Sequence, residues 1–122
     1  MIRCELLKDA SVLVVEPKSA LSAQDFREIA RTIDPYIREK GKLTGLLIAV
    51  PSFPGWDSFH ALIEHLKFVY GHHRNIARLA AVTDNAFLRI ISTIAQYFVH
   101  PEIRVFASGE RAKALEWLKT GA

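Results

Sequence analysis

Two aspartates stand where a sheet-based enzyme would keep acid–base groups. Asp57 follows the apolar run 43–50 after a short loop, and Asp84 closes the run 76–83. If these runs are neighbouring parallel strands, both carboxylates lie at strand carboxyl ends, where open α/β sheets bind ligands. A carboxylate pair there can divide general acid and general base work. Aspartate is also a strong helix N-cap, and a helix is expected after each position, so capping is the expected role. A small hydrolase or isomerase therefore ranks third among the functions, and the chain is read as no enzyme.

Five histidines invite a metal reading. His60 and Glu64 are four apart and share a helix face, while His65 and His72 are seven apart on another. No His-x-x-x-His or His-Glu-x-x-His occurs, so no metal site is expected. His72 and His73 instead suit a helix C-terminus, where positive charge complements the macrodipole. Nucleophilic catalysis lacks a Gly-x-Ser-x-Gly elbow, and Cys4, the single cysteine, has no histidine near it in sequence. No glycine-rich phosphate loop is present, so no cofactor is expected. Lys67, His72, His73, Arg74 and Arg78 could form a basic patch, but only Tyr70 lies among them as a stacking group. That reads as a solvated helix end rather than a nucleic-acid surface; contact with an anionic lipid or an acidic partner is the alternative.

These side chains need a scaffold of modest size. The chain has 122 residues, 50% hydrophobic and 24% charged, which fits one globular domain over 1–122. The net charge of +3 is too small and too scattered for a committed polyanion binder. One cysteine excludes an intrachain disulfide. The first residues lack an apolar run of signal-peptide length. The stretch 86–99 is broken by Arg89, Ser92, Thr93 and Gln96, so no transmembrane segment is expected. A cytoplasmic protein is the expectation.

Residues 2–7 and 11–16 read as a hairpin. Ser22 opens a helix with Asp25 three residues on, and Phe26, Ile29, Ile33 and Ile37 share one face. Pro35 predicts a kink or break near Ile33–Asp34, and Gly41 a stop. Residues 43–50 form a strand buried on both faces. Asp57 or Ser58 caps a helix that stops at Gly71. A strand over 76–83, a helix over 86–99, a strand over 102–107 and a final helix from Ser108-Gly109 to Thr120-Gly121 complete the order β-β-α-β-α-β-α-β-α. That order predicts an α/β fold with a mixed, largely parallel sheet of four or five strands and about four packed helices. Val14, Leu47, Ile48, Ala81, Val82 and Val105 are the expected core.

With these lengths the chain resembles the STAS fold of anti-sigma-factor antagonists, and more closely the SpoIIAA-like family. The resemblance is carried by Gly45–Val50, Pro54-Gly-Trp-Asp57, Ile76–Asp84, Pro101–Phe106 and Ala114–Leu118. It implies a sheet with helices around it and no catalysis. The broader family is grouped with CRAL-TRIO lipid-transfer domains, which implies an apolar ligand in an internal cavity as the alternative. In STAS antagonists a partner kinase phosphorylates a serine within Asp-Ser-Ser-Gly at a helix start. Here that place reads Asp57-Ser58-Phe59-His60, making Ser58 the candidate phosphosite. Phe59 and His60 replace the small residues and are expected to crowd it, so Ser58 is expected to cap the helix instead.

The helix over 86–99 has more apolar surface than one face requires. Phe87, Ile91, Ile94 and Phe98 read as its core stripe. Leu88, Ile90, Ala95, Tyr97 and Val99 lie beyond that stripe, and Leu88, Ile90 or Tyr97 is expected at a homodimer interface. Phe53 and Trp56 on the preceding loop either plug the core or extend that surface. The function that follows is a non-enzymatic interaction or regulatory domain acting through protein–protein contacts. It would form a homodimer and meet a further protein that the sequence does not name. The second reading is a carrier of an apolar small molecule or lipid in a pocket near helix 86–99.

Overall fold

The computed structural model describes residues 2–52 and 54–121. Strands β1 (Ile2–Leu7) and β2 (Val12–Pro17) form the antiparallel hairpin. Its turn puts Ser11 in the left-handed region, φ 57°. That costly position for a residue with a Cβ is tied down by the next strand. Thr44 N–H donates to Ser11 Oγ at 3.1 Å, and Gly45 N–H donates to its carbonyl at 3.0 Å.

Helix α1 (Ala23–Lys40) starts with a full capping box. Asp25 N–H donates to Ser22 Oγ at 3.1 Å and Ser22 N–H returns a bond to Asp25 Oδ2 at 2.9 Å. The expected break at Pro35 does not occur. Pro35 sits exposed inside a continuous helix, where a carbonyl that loses its N–H partner can meet water instead. Gly41 ends the helix at φ 89°, which only glycine adopts cheaply.

Strand β3 (Leu43–Ala49), helix α2 (Phe59–His72), strand β4 (Ile76–Val82), helix α3 (Ala86–Ala95), strand β5 (Glu102–Phe106) and helix α4 (Arg111–Thr120) follow. Helix α2 runs through Gly71 to His72 and then tightens into one 3₁₀ turn, so glycine is not its stop. Helix α3 ends at Ala95, four residues short of the expected boundary, and 96–98 form a turn.

The sheet order is β1-β2-β3-β4-β5, with β2 through β5 parallel. The three crossovers advance in one direction, and right-handed connection then puts their helices on one face. That face carries the rows Leu13–Leu46–Leu79–Ile103 and Val15–Ile48–Ala81–Val105. Phe26, Ile29 and Ile33 of α1 close over its β2–β3 side. Ile48 and Val105 are half-buried rather than core. Ile48 lies at the margin of that cluster, and Val105 is on the edge strand.

The opposite face carries Val12, Val14, Leu47, Ala80, Val82 and Phe106, covered by Ala114, Trp117 and Leu118 of α4. Gly45 lies on this face, where a Cβ would stand 2.9 Å from Leu118 Cβ. The missing side chain lets α4 settle onto the sheet. Arg78 reaches from β4 to the end of α4, donating to the Leu118 carbonyl at 3.0 Å.

Candidate interaction surface

Helix α3 is where burial departs most from expectation. Asn85 caps it, its Oδ1 accepting from Leu88 N–H at 3.0 Å. Phe87, Ile90, Ile91, Ile94, Tyr97 and Phe98 are 44 to 79% exposed. The stripe Phe87–Ile91–Ile94–Phe98, expected inside, therefore faces outward together with Ile90 and Tyr97. The half-buried residues are Leu88, Ser92, Ala95 and Val99. This second set has the same spacing, shifted by one residue, and its side chains are smaller on average. Helix α3 packs against β5, the last strand, so the sheet beneath it is narrow. Small residues let the helix come close, and the large ones are left without cover. Leu88 is thus turned at least half toward its own fold. Helix α2 leaves Phe59, Leu66 and Tyr70 exposed as well.

The two aspartates part company. The expected caps fall to their neighbours: Ser58 Oγ accepts from Ala61 N–H at 3.1 Å, and Asn85 serves α3. Asp57 is exposed, and its N–H donates to the Leu21 carbonyl at 2.8 Å. Asp84 binds the turn after β5, accepting from Ser108 N–H at 3.0 Å and from the Ser108 hydroxyl. Those two bonds hold its carboxyl below the ordinary range. A carboxylate so held stays ionised and makes a poor general acid. Asp84 is a clasp between the ends of β4 and β5.

The histidines are shared among separate partners. His60 pairs with Glu64 at 3.7 Å. His72 Nε2 meets Asp34 Oδ1 at 2.6 Å, which ties α2 to α1, and its Nδ1 lies 2.8 Å from the Phe68 carbonyl. His73 Nδ1 accepts from His100 N–H at 2.9 Å. Among the described residues no three His, Cys, Asp or Glu side chains gather as a metal site. The basic residues do not form one patch either, since His72 is paired and Arg78 serves α4. Burial pushes the Cys4 thiol up to about 11, leaving little thiolate at neutral pH.

Trp56 is half-buried, and its Nε1 donates to His65 Nδ1 at 3.1 Å. His65 in turn stacks on Phe26 at 4.8 Å between ring centres. Trp56 thus closes the α1–α2 layer; Phe53 lies outside the described residues. Ser58 is exposed, so the crowding expected from Phe59 and His60 does not bury it.

Burial lowers the His65 pKa from its ordinary 6.5. The folded state then holds this proton less tightly than the unfolded chain. Its contribution to stability is full above about pH 6.5 and declines as pH falls toward the folded pKa. Urea midpoints should drop between pH 7.5 and 5.5 with a slope of up to about 1.4 kcal/mol per pH unit. His65→Gln should flatten that part of the profile.

The two best-formed concavities have volumes of about 350 and 380 Å³. The first is bordered by Ile2, Ser22, Gln24, Asp25 and Glu28, the second by residues of β1 and α1 and by Lys8. Neither includes a residue of α3. No described helix is long and apolar enough to cross a membrane.

The SpoIIAA-like family model matches residues 12–119. The chain belongs to the SpoIIAA-like family. A crystal structure of an uncharacterized protein of the DUF3478 family with a SpoIIAA-like fold, from Shewanella loihica PV-4, is similar throughout. Its TM-score is 0.73 at 22% identity, covering 97% of this chain and 92% of that one. No curated protein matches the chain. The SpoIIAA-like fold, with its five-stranded, mostly parallel sheet and four helices, is thereby established. Membership in the family supports a regulatory or interaction domain.

Proposed function

We propose that this SpoIIAA-like domain is non-enzymatic and works by docking a protein on the open side of α3, the first occupant being a second copy of itself. The observation that carries the reading is the exposure of Phe87, Ile90, Ile91, Ile94, Tyr97 and Phe98 on one short helix. Single exposed apolar residues are ordinary, but a contiguous set of this size marks a contact site. Its flanks suit protein better than a lipid headgroup. Residues 86–99 contain one charge, Arg89, and its guanidinium donates to the Thr83 carbonyl at 3.2 Å. An interfacial membrane helix instead carries a strongly basic polar face.

The area is also sufficient. With about 200 Å² per large side chain, the six residues expose on the order of 700 Å², near the roughly 800 Å² that each partner gives to a stable interface. Sedimentation velocity of the wild-type chain from low to high micromolar tests the proposal. A concentration-dependent dimer supports it, and a monomer throughout the range overturns it.

A further inference from the structure

We propose that the second copy docks on the open edge of β5, antiparallel and in a register centred on Ile103, so that Glu102 of each copy faces Arg104 of the other. This rests on the reading of α3 as a self-docking surface and adds the geometry of the contact.

Strand β5 ends the sheet and is paired on one side only, by β4. Phe106 turns its carbonyl to that side, accepting from Thr83 N–H at 2.9 Å. The N–H and C=O of one residue lie on the same side of a strand, and the side alternates along it. Glu102 and Arg104 therefore bond inward, and Ile103 and Val105 present their main-chain groups at the open edge. Such an edge is a template for another strand.

The charges select the register. In a two-fold antiparallel pair, facing residues point to the same side of the sheet, so the axis must pass through a residue position. An axis at Glu102 sets two glutamates face to face, and one at Arg104 sets two arginines. An axis at Val105 leaves Glu102 beyond the end of the partner's strand. The axis at Ile103 alone gives two opposite-charge pairs, on the face that holds α4. Directly facing opposite charges stabilise a strand pair and like charges oppose it. Arg104 is already held on that face, its guanidinium 5.5 Å from the Phe106 ring centre and 5.7 Å from that of Trp117. Alternating charges usually protect an edge from pairing; here they make it complementary to itself in one register. Helix α3 packs against β5, so its exposed side chains flank the same edge and can meet their counterparts across the axis.

Charge exchange and cross-linking test the register together. In sedimentation, Glu102→Arg and Arg104→Glu should each weaken the dimer by about tenfold, and the double exchange should restore it. Facing residues at these positions form a non-hydrogen-bonded pair, with Cα atoms about 4.5 Å apart and within disulfide range. Glu102→Cys/Arg104→Cys should therefore cross-link two copies on mild oxidation, and neither single cysteine variant should. Cys4, little ionised, stays out of the reaction. Cross-linking by a single variant overturns the register, as does a double exchange no tighter than the single ones. If Ile90→Asp separates the wild-type dimer while the charge exchanges change nothing, the register is wrong and the α3 reading stands. A monomeric wild type overturns both.

Discussion

Gly45→Val is expected to destabilise the fold by at least about 1–3 kcal/mol, the range for an overpacked core. The first added atom would lie 2.9 Å from both Leu118 Cβ and Leu118 Cδ2. A side-chain tip can rotate away, but a Cβ is fixed to its backbone, so α4 itself must shift. Leu118 is fully buried and packs with Val12, Val14 and Leu47, so the shift opens contacts along the whole layer. Leu118→Ala should cost about 2–5 kcal/mol by leaving a cavity. Gly45→Ala/Leu118→Ala should cost less than the sum of its parts, because the new methyl occupies some of the vacated space. Urea denaturation of the three variants measures this. A neutral Gly45→Val would mean that α4 is not seated on β3 as described.

Ile90→Asp is expected to separate the copies and leave the fold intact. In the monomer Ile90 is 60% exposed, so replacing it should move stability by no more than about 0.5 kcal/mol. In a two-fold dimer the change acts twice. Each copy forgoes roughly 1.5–3 kcal/mol of apolar burial. Together that is about 3–6 kcal/mol, a rise in Kd of 10² to 10⁴. The pair of readings is diagnostic: sedimentation should lose the dimer while the melting temperature of the dilute chain holds. A variant that melts early would show that Ile90 belongs to the core of its own chain.

The element order was legible because its signals are local. Ser22 with Asp25, the β-branched run Val12–Val15 and the glycine at 41 each act within a few residues. The face of α3 was not, because its sequence offers two apolar stripes of equal period. Phe87–Ile91–Ile94–Phe98 is the larger, and size suggested burial. What decides is the sheet beneath, one edge strand wide, and that is a property of the topology. The Trp56–His65 bond joins a loop to a helix turned toward α1, which no spacing rule anticipates. Asp84 with Ser108 was within reach. Val82 faces Phe106 in the β4–β5 register, so two residues further along each chain must also meet. Placing the strands side by side would have shown a clasp in place of a cap.

Native mass spectrometry of the freshly purified wild-type chain tests self-docking through α3 most directly, because one spectrum reports both the number of copies and any retained molecule. The apolar side of α3 predicts a species of twice the 13.7 kDa chain mass with no further component. A species of one chain mass, or a chain that carries a small apolar molecule in place of its second copy, would contradict it.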